Sequence, residues 1–125
     1  EGIISAASKL NRTIEDLISD TTRRYVGWFA EQNRSKNHSL FLLNVPAPIY
    51  NDSYSKEVNR KVSSTIKLFN TLLQKTVVDC GFNIIDVYKF TVDKDGFSNG
   101  LFHIDNYHLS SHAIPEIEKQ IGTFL

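Results

Sequence analysis

The sequence contains no methionine, and among its 125 residues there is a single cysteine, Cys80. A lone cysteine cannot form an internal disulfide, so the fold is not built on a disulfide framework, and the compartment stays undetermined. Because no histidine lies near Cys80 in the sequence, we expect this thiol to be unreactive. The absence of methionine predicts that the chain is a processed product or a piece of a longer protein.

An excess of one charge sign is also missing, because 14 Lys and Arg residues balance 14 Asp and Glu residues. Without a net positive field, the chain is not expected to bind nucleic acid or an anionic membrane surface. No apolar run reaches the roughly 18 residues that a membrane-spanning helix needs, so no membrane span is expected. The length and the ordinary apolar fraction predict one globular domain over residues 1–125.

What the sequence does contain is a regular alternation of helical and extended patterns. Apolar residues at helical spacing predict helices near 13–33, 53–76 and 111–121, and in the first of these Tyr25, Trp28 and Phe29 are interpreted as core residues. The unbroken apolar runs "SLFLLNV" and "FNIIDVY" predict strands near 40–46 and 82–88 that are buried on both faces. This order predicts an α/β fold with parallel strands and one β-α-β unit.

Two strands do not make a complete sheet, since independent stability usually takes three or more strands. We therefore expect the sheet to be completed in one of three ways. The remaining pairing could come from a missing N-terminal half of a longer protein, from a second copy of the chain, or from a third strand that the pattern does not reveal.

Three of the four histidines and one aspartate lie close together in "GLFHIDNYHLSSHAIPEIEKQI". A carboxylate at Asp105 could bond one imidazole nitrogen of His108, leaving the other nitrogen to take a proton from a serine hydroxyl. The position fits, because open α/β sheets place their sites outside the carboxyl ends of their strands. On spacing alone, Asp105 or Ser110 could equally be the cap of the last helix.

The same cluster could supply ligands to a metal ion. His103, Asp105, His108 and His112 offer imidazole and carboxylate groups, and the last two histidines are four residues apart. No HExxH pattern is present, and no second cluster of acidic or cysteine ligands accompanies them. A metal site is therefore the less favoured alternative, and no metal or cofactor is predicted.

The segment "FNIIDVYKFTVDKDGFSNGLFHIDNYHLSSHAIPEIEKQI" resembles the C-terminal block of the SGNH (GDSL-type) hydrolases, with a buried strand, a variable loop, Asp-x-x-His-Leu-Ser and a closing helix. "LFLLNVPAPI" and the helix that begins "EVNRKV" resemble the preceding elements of that family, so the resemblance covers about residues 38–121. It implies the C-terminal part of a larger domain with a flavodoxin-like three-layer fold. It also implies ester hydrolysis, in which Asp105 orients His108 and His108 activates a serine; an acylated glycan is one substrate class.

The family's Gly-Asp-Ser and oxyanion-hole blocks are not recognisable in the sequence. "NDSYS" at 51–55 imitates them, but Asp52 or Ser53 is better interpreted as the cap of the second helix. The nucleophilic serine is therefore expected before residue 1 or on a partner chain. The alternative to an enzyme is a non-catalytic binding or assembly module that keeps the fold and lacks the nucleophile.

Two further polar residues are candidates for lining the site. Asn44 ends the first predicted strand, and His103 precedes the Asp105 and His108 pair. An asparagine at a strand end is more often a turn former, so both interpretations of Asn44 stay open. Asp86 closes the second predicted strand, and we expect it to bond the loop that follows.

Overall fold

A computed structural model describes residues 12–34 and 40–125. The elements are helix α1 (Ile14–Gln32), strand β1 (Phe41–Leu43), helix α2 (Lys56–Asp79), strand β2 (Asn83–Ile85), helix α3 (Val87–Thr91), a 3-10 turn (Ser111–Ala113) and helix α4 (Ile114–Phe124). The predicted mixture of helices and strands is confirmed, and the three long helices begin and end within three residues of their predicted bounds. None of the helices in these two ranges is both long and apolar enough to cross a membrane.

The two strands pair in parallel, with Leu42 opposite Ile84. Each strand is three residues long, which is shorter than predicted. The prediction that extended structure continues to residue 88 is wrong, because Val87 begins α3. The side chain of Asp86 causes this change of conformation, since it accepts the backbone N–H of Lys89 at 2.9 Å and so caps the new helix.

Helix α2 begins later than predicted because a turn precedes it. The Asn51 side chain accepts the backbone N–H of Ser53 at 2.9 Å, which closes that turn. The hydroxyl of Ser55 then accepts the backbone N–H of Val58 at 3.1 Å and caps the helix. The prediction that Asp52 or Ser53 is the cap is therefore wrong by two or three residues.

The core lies between α1, α2 and one face of the strand pair. Its buried members are Val26, Leu42, Leu73 and Val77, and the partly buried side chains packed against them are Phe29, Phe69, Phe82 and Ile84. The rings of Phe29 and Phe82 meet edge to face with their centroids 5.6 Å apart. Burial of an aliphatic side chain of this size stabilises the fold by about 1.5–3 kcal/mol, so the cluster fastens both long helices to the sheet.

The aromatic pattern of α1 is only partly a core pattern. Phe29 packs on the core, but Tyr25 is 50% exposed and Trp28 is 60% exposed. The prediction that these two residues belong to the core is therefore wrong. The buried face of α1 follows Ile18 and Val26, which are fully buried, and Trp28 lies on the flank of that face.

Helix α4 is attached to the end of the strand pair by two contacts. Its Phe124 ring lies 5.7 Å from the ring of Phe41, centroid to centroid. The Gln120 side-chain amide accepts the backbone N–H of Asp86 at 2.7 Å and donates to the carbonyl of the same residue at 2.9 Å. Because strand side chains alternate, Phe41 and its neighbour Leu42 point to opposite faces, and α4 therefore packs on the face that α1 and α2 leave free.

The chain segment that follows β1 is held by the side chain of Asn70 in α2. The Asn70 amide accepts the backbone N–H of Val45 at 2.9 Å and donates to the carbonyl of Val45 at 2.7 Å. Asn70 is only 7% exposed, so water cannot easily replace these bonds. The amide thus satisfies both backbone groups of Val45, as the peptide group of a neighbouring strand would.

We expect Asn70→Ala to lower the free energy of unfolding by about 2–4 kcal/mol, because two buried backbone groups of Val45 lose their partners. Urea denaturation followed by circular dichroism measures the change. Gln74→Ala, on an exposed position of the same helix, is the matched control and should change stability by less than about 0.5 kcal/mol. Equal losses in the two variants would contradict the role assigned to Asn70.

Candidate active site

A buried side-chain amide joins the carboxyl ends of the two strands. Asn44, which is 7% exposed, accepts the backbone N–H of Val87 at 2.7 Å and that of Tyr88 at 3.0 Å. Its own N–H donates to the Asp86 carboxylate at 2.9 Å. Asn44 therefore anchors the start of α3 to the end of β1, and its polar atoms are occupied within this internal network.

The exit loop of β1, residues 45–49, is tied to two other parts of the chain. The backbone N–H of Ala47 donates to the Thr91 hydroxyl at 2.9 Å, and Ala47 is 1% exposed. The carbonyl of Pro48 accepts the backbone N–H of Ser98 at 2.8 Å. These bonds fix the exit loop against α3 and against the turn-rich segment 93–100.

His103 also braces the exit loop. Its Nδ1 lies 2.8 Å from the Ser98 hydroxyl, and the backbone of Ala47 lies near its ring. Burial lowers the pKa of His103, and the Asp105 carboxylate and the Ala47 carbonyl oppose this only in part. In a neutral imidazole one nitrogen accepts and the other donates, so the ring of His103 can bond the Ser98 hydroxyl without carrying a charge.

Asp105 organises the loop that carries His108. One carboxylate oxygen, Oδ1, accepts the backbone N–H groups of Tyr107 and His108, both at 2.8 Å. The loop is closed by the backbone N–H of Ile104, which donates to the carbonyl of His108 at 2.9 Å. An aspartate that bonds backbone N–H groups two and three residues ahead is a common turn-forming arrangement, so this loop needs no distant contact to form.

The imidazole of His108 lies against the same carboxylate. Its Nδ1 is 2.9 Å from Asp105 Oδ2 and 3.0 Å from Oδ1. The N–H of Tyr107, followed by the His108 ring, lowers the pKa of Asp105, so the carboxyl is ionised at neutral pH. An ionised carboxylate only accepts hydrogen bonds, so Nδ1 of His108 is the donor in this contact, and Nε2 is the nitrogen that faces away from Asp105.

The pair that the sequence predicts is therefore brought together, but the nucleophile is not. Nε2 of His108 has no hydrogen bond to any residue within 12–34 or 40–125. The pair is open to solvent, with the His108 side chain 74% exposed and that of Asp105 53% exposed. Ser53 lies in the exposed turn before α2, where its backbone N–H donates to the Asn51 side chain.

The last helix has a different cap from the one that Asp105 would supply. The Ser110 hydroxyl accepts the backbone N–H of His112 at 3.3 Å at the start of the 3-10 turn that leads into α4. Of the two capping candidates, Ser110 caps this element, and Asp105 caps its own loop. The capping prediction is therefore confirmed for Ser110, and the catalytic interpretation of Asp105 and His108 stays a prediction.

A cleft of about 320 Å³ adjoins the Asp105 and His108 loop. One wall is the exit loop of β1, and a second is the first half of α2, represented by Val62 and Ile66. Asn106 and Tyr107, the two residues between Asp105 and His108, form another wall. The cleft thus lies at the carboxyl end of β1, where α/β sheets commonly bind ligands.

The cluster does not assemble as a metal centre. Within the described residues there is no group of three or more His, Cys, Asp or Glu side chains positioned to hold a metal ion. His103 is engaged with Ser98 and Ala47, and His108 is engaged with Asp105. Cys80 is an exposed residue at the end of α2.

Sequence reasoning missed several polar residues that shape this region. They are Asn59, Asn70, Thr91 and Gln120. Asn70 lies four residues after Ile66 and three before Leu73, so it interrupts the apolar stripe of α2. A polar residue on an apolar stripe is a signal of a buried hydrogen bond, but the spacing does not identify its partner.

Comparison of the chain with protein-family models, with curated proteins and with solved structures found no match.

We expect the order of the His108 loop to persist below pH 3.8, the ordinary pKa of an aspartate, because the folded pKa of Asp105 is lowered. The contribution of this carboxylate to stability is complete above pH 3.8 and is lost as the pH falls through the lowered value. The amide chemical shift of Tyr107, followed by NMR from pH 6 to pH 2, measures the transition. A midpoint at or above 3.8 would contradict this assignment, and Asp105→Asn should remove the transition.

Proposed function

We propose that the protein hydrolyses an ester-linked acyl group, with His108 as the general base and Asp105 as the carboxylate that orients it. The observation that carries this proposal is the contact of His108 Nδ1 with Asp105 at 2.9 Å, which leaves Nε2 able to accept a proton. The adjoining cleft at the carboxyl end of β1 supports it. The resemblance of about residues 38–121 to the SGNH hydrolases points to the same chemistry, with acylated glycans as one substrate class.

In the proposed reaction a serine that is not among the described residues attacks the ester carbonyl. Nε2 of His108 takes the serine proton as the bond from oxygen to carbonyl carbon forms. The imidazolium, stabilised by the charge of Asp105, then protonates the alcohol as the ester bond breaks. A water molecule, deprotonated by the same nitrogen, then attacks the acyl-serine. The imidazolium returns the proton to the serine oxygen as the acyl bond breaks, which regenerates the serine and releases the carboxylic acid.

We also propose that the two strands belong to a larger, flavodoxin-like three-layer sheet. The Leu40 carbonyl and the Asn44 N–H form hydrogen bonds with β2. Because successive residues of a strand direct their backbone groups to alternate edges, those of Phe41 and Leu43 face the other edge of β1. The Leu43 side chain is 50% exposed. A strand from the N-terminal part of a longer protein, or from a second copy, could pair at this edge and bring the serine with it.

A non-catalytic binding or assembly module is the second candidate. It is favoured by the exposure of the pair and by the absence of a hydroxyl partner for His108 Nε2 among residues 12–34 and 40–125. Without a nucleophile and oxyanion donors, an imidazole and a carboxylate catalyse little. The presence or absence of esterase activity in the natural protein that contains this sequence separates the two candidates.

We expect His108→Ala in that natural protein to lower kcat for 4-nitrophenyl acetate by about 10²- to 10⁴-fold, because the general base is lost. Release of 4-nitrophenolate measures the rate. His112→Ala, an exposed histidine four residues away, is the matched control and should keep the wild-type rate. Equal turnover by the His108→Ala and wild-type proteins would contradict the role of His108, and no turnover by the wild type would favour the module.

We expect Asp105→Asn to lower kcat by about 10²-fold or more while KM changes little, because the asparagine cannot stabilise the imidazolium. Its side-chain oxygen still accepts the N–H groups of Tyr107 and His108, so the loop should keep its conformation. The same ester assay measures the change. Asp52→Asn, at an exposed position outside the cluster, serves as control, and a similar small effect in both variants would argue against Asp105.

A further inference from the structure

We propose that the cleft beside the His108 loop binds a medium-length saturated acyl chain, such as an octanoyl group. This inference rests on the proposed esterase function for its catalytic meaning, because the chain would be the acyl part of the ester. The cleft is lined mainly by apolar side chains, among them Val45, Ile49, Val62 and Ile66. None of the described residues that line it carries a charge, so the lining offers no counterion for a phosphate or a carboxylate inside the cleft.

Two of the asparagine side chains that line the cleft already form hydrogen bonds within the protein. Asn59 is 3% exposed; its side-chain oxygen accepts the N–H of Asn51 at 2.9 Å, and its amide N–H groups donate to the carbonyls of Asn51 and Ser55. The Asn51 side-chain oxygen accepts the N–H of Ser53. A sugar hydroxyl placed against the Asn59 side chain would lose hydrogen bonds to water, and the bonds that Asn59 already makes compete with any replacement, whereas an alkyl chain loses none.

The position of the cleft connects it to the proposed chemistry. Asn106 and Tyr107 form one of its walls, and these are the residues between Asp105 and His108. An acyl chain that fills the cleft therefore lies against the turn that carries His108. The backbone of Tyr107 is held by Asp105 at 2.8 Å, so the wall and the base belong to one rigid turn.

The size of the cleft favours a chain longer than acetyl. A volume of about 320 Å³ lies at the lower end of the range typical of small-molecule sites. An acetyl group would occupy a small part of this space and leave the side chains of Val62 and Ile66 without contact. Each added methylene that enters the cleft contributes about 0.8 kcal/mol, which corresponds to about a fourfold gain in affinity.

A binding measurement on the protein tests the acyl site without any requirement for hydrolysis. We expect octanoate to bind at least about tenfold more tightly than butanoate in NMR titrations of the 125-residue protein. The amide signals of Val62, Ile66 and Tyr107 should shift, and that of Val78, at the other end of α2, should stay unchanged. Equal affinity for the two acids, or shifts that avoid the cleft, would overturn the proposal.

A substitution that fills the cleft provides the second test. Val62→Phe should weaken octanoate binding by about tenfold or more, because the larger side chain takes the place of the ligand. Val78→Phe is the matched control, since it is the same substitution at a 58% exposed position of the same helix. Unchanged binding by a folded Val62→Phe protein would overturn the proposal, and the titration of the unsubstituted protein decides the question if this variant does not fold.

The ester assay on the natural protein keeps the two proposals separable. If octanoate binds in the cleft and the natural protein hydrolyses no ester, the acyl site stands and the esterase function fails. If 4-nitrophenyl acetate is hydrolysed in a His108-dependent manner and octanoate does not bind, the esterase function stands and the acyl site fails. If both hold, 4-nitrophenyl octanoate should have the higher kcat/KM, and Val62→Phe should remove that preference.

Discussion

The rest of the structure depends on one interaction. Polar side chains form hydrogen bonds with the backbone just beyond the ends of two short strands. Each strand has only three residues, so the ladder of backbone hydrogen bonds ends while the chain is still buried. Asn44, Asn70 and Thr91 supply the missing partners to the ends of β1 and α3 and to the exit loop. An unpaired buried backbone group costs about 1–3 kcal/mol, so this set of bonds decides whether the exit loop has one conformation.

The candidate site follows from that constraint. Because the exit loop is fixed, its apolar side chains form one wall of a cleft whose second wall is the first half of α2. His103 and Ser98 then tie the loop that precedes Asp105 to the same exit loop. The burial that lowers the pKa of His103 suits this structural role, since a neutral ring can both accept and donate. His108 differs, because its ring is exposed and has Asp105 as its partner.

The pair and the cleft have different physical origins. Asp105 and His108 are three residues apart, and their turn is stabilised by bonds within the turn itself. The cleft depends on contacts between residues far apart in the chain, such as the bonds between Asn70 and Val45. An ester hydrolase needs both kinds of organisation. In the proposed reaction the local turn would supply the oriented base, and the tertiary contacts would supply a place for the substrate.

The sequence by itself determined the features that depend on local order. Helical spacing predicted the three long helices, and unbroken apolar runs predicted two parallel strands. The spacing of Asp105 and His108 left a contact and a helix cap equally open, and the resemblance of the surrounding segment favoured the contact. The tertiary structure alone decided where the strands end, that Trp28 lies outside the core, and that Asn70 bonds Val45. These outcomes depend on which distant groups meet, and a periodic pattern shows which face of an element is apolar without identifying what packs on it. The cleft beside the His108 loop belongs to this second class, because its walls come from separate segments between residues 45 and 107.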